Sequence, residues 1–315
     1  MKAKTLTSAV LGLAVMTGGY QAHAETSFGF GGDIEVDTNY LSNNAGGSDD
    51  DSNMGGRVKL TASGMHESDR GYISGVGQVV LAKDGNASVD DMYVRFGSDN
   101  FGIQIGRFEA TDLFSEGTDA AHSIIGSTNY YHASAARGRT SDTGQIMFDT
   151  TAGNVKFELA TIWGESAGAT DEKSIAGVRP AVVWDATDDL RVTLGYESVD
   201  NSGSEITGFG LYVRYATDAF ALKLNYASGE QESNGTIDWE NTSYNINLES
   251  GNFGIGYTST EDEGGDSATA LYGRYLIPSF MGVDNASASI NIGVSGADSL
   301  ANDQTLVKFR INYTF

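Results

Sequence analysis

The sequence predicts an all-β chain, a transmembrane antiparallel β-barrel of about 16 strands, an even number as single-chain bacterial barrels require. Three observations predict it. Stretches in which apolar and polar residues alternate recur along the whole length, and alternation at period two marks a strand with one apolar and one wet face. The connections alternate in kind, short turns with longer acidic loops, the rhythm of short periplasmic turns and longer outer loops. Gly is high at 41, Pro low at 2, and 15 Tyr with 14 Phe suit strands and membrane-interface belts. Mean hydropathy is negative, as expected where only alternate residues face lipid.

The front of the chain is a separate element. Met1-Lys2-Ala3-Lys4 is a basic start, Leu6 to Val15 a short apolar run, and Ala22-His23-Ala24 an A-x-A cleavage pattern. This reads as a secretory signal peptide, too short to span a bilayer as a helix. Cleavage after Ala24 divides the chain into residues 1–24 and a barrel domain, residues 25–315, of 315 − 24 = 291 residues. The two Lys lost with the signal move the formal charge from -23 to -25. No later segment approaches the roughly 18 apolar residues of a transmembrane helix.

The strands follow in order. Phe28 to Leu41 is the first, and the Asp-rich stretch Gly46 to Asp51 leads to the second, Gly55 to Gly64. The turn Glu67-Ser68-Asp69-Arg70-Gly71 opens Tyr72 to Leu81, and Lys83-Asp84-Gly85-Asn86 opens Ser88 to Phe96. Ser98-Asp99-Asn100 turns the chain into Phe101 to Arg107. A long segment without a clean period, Phe108 to about Asp142, comes next. Gln145 to Thr150 and Val155 to Trp163 then pair around Ala152-Gly153-Asn154. Ser174 to Trp184, Leu190 to Val199, Glu205 to Ala216 and Phe220 to Ser228 follow. Thr236 to Leu248, Phe253 to Thr260, Ala268 to Ile277, Ala286 to Val294 and Thr305 to Phe315 complete the set. The short connections include Thr217-Asp218-Ala219 and Ser250-Gly251-Asn252. The longer, acidic ones run from Ser42 to Met54, Gly164 to Lys173, Glu230 to Gly235 and Glu261 to Asp266.

In the last strand Val307, Phe309, Ile311, Tyr313 and Phe315 fall on one side, and Lys308, Arg310, Asn312 and Thr314 on the other. The chain stops on an aromatic residue. This resembles the closing strand of bacterial outer-membrane barrels, whose C-terminal Phe is read by the barrel-insertion machinery. The resemblance makes Phe315 and Tyr313 the assembly signal.

The whole mature chain resembles the general, non-specific porins of Gram-negative outer membranes. In that family the third outer loop folds into the barrel and narrows the pore. The segment after Phe101-Gly102-Ile103-Gln104-Ile105-Gly106-Arg107 occupies the matching place, and Gly106-Arg107 is similar to the pair that opens this loop in many porins. The Pro-Glu-Phe-Gly-Gly stretch of enteric porins is absent. The resemblance implies a homotrimer in the outer membrane, in contact with lipid and lipopolysaccharide and passing ions and small hydrophilic solutes.

The chemistry of such a site is electrostatic. The candidate constriction loop carries Glu109, Asp112, Glu116 and Asp119. Parity supplies a basic wall to face it. Val58 and Leu60 would face lipid, so Arg57 and Lys59 point inward; Met92, Val94 and Phe96 would face lipid, so Tyr93 and Arg95 point inward. Lys308 and Arg310 are inward by the same rule. Arg107 is a fourth basic candidate, but it shares the parity of Ile103 and Ile105 and so works at the strand end. Opposed charges across a neck set selectivity, and acidic excess predicts a weakly cation-preferring channel for passive diffusion.

Other signals have plainer readings. Gly164-Glu165-Ser166-Ala167-Gly168 matches the G-x-S-x-G nucleophile pattern, but no helix follows it. His66, His122 and His132 are too few for a His-rich zinc site, and without Cys there is no thiolate site, so neither metal nor cofactor is expected. Asp49-Asp50-Asp51 and Glu261-Asp262-Glu263 read as solvated loop tips, or as carboxylates holding divalent cations beside lipopolysaccharide. Trp163, Trp184 and Trp239 sit near strand ends as belt or packing residues. A strongly acidic chain argues against nucleic acid. Two rival functions stay open. A substrate-selective channel for a sugar or other nutrient would need an aromatic track, which Tyr130-Tyr131 could begin. A barrel enzyme would need a Ser/His set, for which only Ser166 stands out.

Overall fold

A computed structural model describes residues 25–42, 51–115, 138–140, 143–165, 174–201, 203–298 and 303–315. The expected signal peptide, Glu116, Asp119, His122, Tyr130-Tyr131, His132 and Ser166 lie outside the described residues.

Sixteen strands follow one another. They are β1 (Glu25–Ser42), β2 (Asp51–Ser68), β3 (Gly71–Ala82), β4 (Ala87–Ser98), β5 (Phe101–Arg107), β6 (Gly144–Ala152), β7 (Val155–Glu165) and β8 (Ser174–Asp185). Then come β9 (Leu190–Asn201), β10 (Ser204–Ala216), β11 (Ala221–Ser233), β12 (Thr236–Ser250), β13 (Phe253–Asp262), β14 (Ser267–Pro278), β15 (Ala286–Ala297) and β16 (Gln304–Thr314). Each pairs antiparallel with its sequence neighbours, and β1 pairs with β16, so the sheet is a closed barrel with no free edge. The expected fold class is borne out.

The alternation does what it predicted. Phe28, Phe30, Ile34, Val36 and Tyr40 on β1 are exposed on the outer face, as are Ile290, Ile292 and Val294 on β15. Between them, Asp33, Glu35 and Asp37 on β1 and Ser289 and Asn291 on β15 turn inward. An exposed apolar face on a closed barrel is the lipid-facing band. The seam is closed by the terminal residue. Phe315 N–H donates to the Gly32 carbonyl and accepts from Gly32 N–H through its own carbonyl, both at 3.0 Å. A side chain on Gly32 would collide with the Lys59 carbonyl of β2 and meet the Phe315 ring at 3.0 Å, so Gly32 leaves room for both the neighbouring strand and the last aromatic.

Strand boundaries depart from the sequence reading at the loop end. β2 starts at Asp51, and β11 and β12 run up to a two-residue turn, Asn234-Gly235. The expected acidic loop from Glu230 to Gly235 is therefore mostly strand. Both turn residues have positive φ, 53° and 79°, the mirror-image turn whose twist matches a hairpin. Acidic side chains above the apolar band point into water whether the backbone is looped or extended, so polarity alone placed the boundary too early.

Candidate functional site

The inward face divides into two chemically different walls. From β1 to β7 and at β16 it carries ion pairs. Arg310 grips Asp37 with two bonds of 2.6 and 2.7 Å and reaches Glu35 at 3.0 Å. Arg57 lies 4.0 Å from Asp33 and 3.8 Å from Glu35, and Lys59 lies 3.7 Å from Asp90. Arg95 spans β5 to pair with buried Asp149 on β6 at 2.6 and 2.9 Å, and donates to the Tyr72 hydroxyl at 2.8 Å. Gly102 lies beneath that guanidinium, where a side chain would collide with it. From β11 to β13 the middle of the wall is neutral. Asn225 donates to Asn245 at 2.8 Å, Asn245 to Thr258 at 2.8 Å and to the Tyr272 hydroxyl at 2.7 Å, and Ser243 to Thr260 at 3.0 Å. Charge returns below it, where Lys223 and Arg274 approach Glu249 at 3.4 and 3.9 Å.

Against this lining lies the segment that follows β5. Phe108 is 1% exposed, Leu113 0% and Phe114 4%. Phe108 packs with Met147, Ala160 and Tyr93; Leu113 and Phe114 pack with Ala181, Ala227 and Trp239. Full burial of each such side chain is worth about 1.5–3 kcal/mol. Inward polar groups tie the backbone down. Phe108 N–H donates to Gln145 at 2.9 Å, Thr111 N–H and hydroxyl donate to Glu158 at 2.8 and 2.5 Å, and Asn225 donates to the Ser115 carbonyl at 3.1 Å. The returning end touches the same lining, since Arg179 on β8 donates to the Gly138 carbonyl at 3.1 Å.

The sequence candidates fall as follows. Arg57, Lys59 and Arg95 do face inward, as parity required. Each also lies within 4.0 Å of a carboxylate of another strand, Asp33 and Glu35 for Arg57, Asp90 for Lys59 and Asp149 for Arg95. Inward acids on β1, β4 and β6, invisible to a strand-by-strand reading, offset part of that basic charge. Arg107 is not a wall residue. Its guanidinium donates to the carbonyls of Val89 (3.1 Å), Asp90 (2.8 Å) and Thr140 (2.6 Å) at the end of β5. It lines a concavity with outward Val89, Met92, Ile105 and Trp163. Glu109 pairs with Arg139 at the far end of its own loop, and Arg139 also binds Asp91 at 2.6 Å and Asp90 at 3.1 Å. Partial burial opposes the charge on Arg139, but Asp91, Glu109 and Asp90 more than offset it and raise its pKa. Asp112 accepts the Phe114 N–H at 2.9 Å. Tyr313 and Phe315 stack at 6.3 Å between ring centres. Sequence reasoning missed Gln145, Glu158, Asn225 and Arg139. Glu158 and Asn225 had the right parity, but parity cannot say which inward residue meets the loop.

A profile of the family described as "Porin-like glycoporin RafY" matches residues 32–194, more than half of the chain. The chain belongs to this porin family. The solved structures agree on the fold. An anion-selective porin from Comamonas acidovorans is 13% identical with a TM-score of 0.74, over 92% of this porin and 100% of that one. The trimer form of OmpT, an outer membrane protein of Vibrio cholerae, is 11% identical with a TM-score of 0.65, over 92% and 99%. The outer membrane channel DcaP of Acinetobacter baumannii is 10% identical with a TM-score of 0.66, over 92% and 97%. No curated protein sequence matches. The protein is a porin of the Gram-negative outer membrane, and its polar inner face is the lining of the channel.

Proposed function

We propose that this porin is a general-diffusion pore for ions and small hydrophilic solutes, with a neck formed by segment 108–142 and a weak preference for cations. The observation that carries the reading is the pairing of the lining's charges. Arg57, Lys59, Arg95 and Arg310 are each matched by wall carboxylates. That leaves the acids of the outer rim as the excess. Burial of Phe108, Leu113 and Phe114 against inward side chains supports the neck. Residues 1–24 are removed as a signal peptide, which N-terminal sequencing of the outer-membrane fraction checks; retained Lys2 and Lys4 reject it.

A homotrimer is part of the same reading. β5 has only seven residues. At about 3.3 Å per residue and a tilt of about 35–45°, it rises about 16–19 Å, short of an apolar band about 25 Å tall. Arg107, Thr140 and Thr143 line the outward concavity beside it, and a charged and polar surface is costly to present to lipid. A neighbouring copy covers that low wall. Lipopolysaccharide and phospholipid meet the rest of the band, and the insertion machinery reads β16.

Planar-bilayer recording of the purified protein is the test. Stepwise ohmic currents with a cation-signed reversal potential in a salt gradient support the proposal; hydrolysis without currents rejects it. A saccharide-selective channel is the second reading, favoured by the Asn225, Asn245, Thr258 and Tyr272 network and by the matched family's description as a glycoporin. Blockade of the current by one sugar at low concentration selects that reading instead.

A further inference from the structure

One row of the inner wall is built from residues that a water-filled lumen has no use for. Ala181, Gly195, Gly210 and Ala227 are direct partners, strand to strand, across β8, β9, β10 and β11. Glu158 on β7 is the partner of Ala181 at one end of the row. The segment 111–115 lies along it. Thr111 is held by Glu158 at the β7 end, and the Ser115 carbonyl by Asn225 at the β11 end. Between these ties Leu113 and Phe114 pack on Ala181 and Ala227. A Cβ placed on Gly195 would stand 2.8 Å from both Leu113 methyls and 2.8 Å from the Pro180 carbonyl.

We propose that this row is the seat of the constriction segment, and that the missing side chain at Gly195 sets how far the segment stands off the wall, and so the free cross-section of the channel. The inference rests on the reading of 108–142 as the neck. Of the groups a side chain at 195 would meet, the Pro180 carbonyl is backbone and does not yield, whereas the Leu113 methyls end a side chain and can move. The added side chain must lift Leu113 off the wall and into the lumen. Close-packed contacts give by moving whole groups, not by compression.

Single-channel recording of the full-length protein tests this. Gly195→Val is expected to lose conductance, and Leu113→Ala added to it is expected to recover most of the loss. Wild-type conductance in Gly195→Val, or a loss that Leu113→Ala leaves in place, overturns the proposal. The chain has no cysteine, so a second variant needs no background removal and does not enlarge position 195. Leu113→Cys with Ala227→Cys is expected to cross-link on oxidation and keep its conductance, because the seat is already occupied. Absence of the cross-link, or a conductance change on forming it, counts against the seat. Deletion of residues 116–137 separates the two readings. Unchanged conductance there rejects the neck itself. Raised conductance there, with an unaffected Gly195→Val, rejects the seat alone.

Discussion

Arg95 and Asp149 are the clearest case of one residue's role being decided by another far along the chain. Parity on β4 made Arg95 inward from sequence alone, because Met92, Val94 and Phe96 had to face lipid. Its partner was not legible. Asp149 is 54 residues away, and it meets Arg95 only because β5 lies between them with Gly102 leaving room for the guanidinium. The pair is neutral to a passing ion, and each half alone is not. Asp149→Asn leaves an unmatched positive charge on the lining and is expected to move the reversal potential toward anions. Arg95→Gln is expected to move it toward cations, and the double variant to return close to wild type. Each single variant also leaves buried polar groups short of a partner, a loss of about 1–3 kcal/mol, readable as a lower urea midpoint. Single variants with wild-type reversal potentials would remove these two residues from the permeation path.

Strand order and number were legible because an apolar band forces every crossing segment into the same alternation, and the fold needed nothing else. Strand ends were not, because that pressure stops where the band stops. β11 and β12 show this: their upper parts carry Glu230, Glu232, Asp238 and Glu240, yet they remain paired up to Asn234-Gly235. Gly235→Ala puts a Cβ on a residue at φ 79°, where an L side chain costs about 1–2 kcal/mol. The expected result is reduced stability in refolding titrations, while Asn234→Gly stays near neutral; equal effects would rule out the mirror-image turn. β16 makes the complementary point at the other end. Deleting Phe315 removes its two hydrogen bonds with Gly32 and the ring that Gly32 accommodates. It also removes the residue whose resemblance to the insertion signal was read from sequence. Outer-membrane yield is expected to fall far more than the conductance of the barrels that form. Normal yield after the deletion would show that the seam and the signal both tolerate its loss.

At the scale of the whole molecule, selectivity depends on which charges are left over. The chain carries 19 basic and 42 acidic residues, and removal of residues 1–24 as proposed would leave 17 and 42. Pairing cancels much of the basic complement inside the channel, while carboxylates such as Glu240, Glu261, Glu263 and Asp266 stand at the outer rim. Negative potential at a mouth raises local cation concentration, and its reach falls with the Debye length, about 10 Å at 0.1 M. The expected wild type is therefore weakly cation-preferring in a dilute salt gradient, with the preference fading in concentrated salt. The contribution of the proposed neck is separable. Asp112 lies on the segment that meets the inner wall, and Glu116 and Asp119 follow it in sequence. Replacing the three with Asn, Gln and Asn is expected to weaken the preference without abolishing it, because the rim acids remain. An anion-preferring wild type would reject the charge argument as a whole. A triple variant unchanged in both reversal potential and conductance would place those carboxylates away from the ion path and leave selectivity to the rim alone.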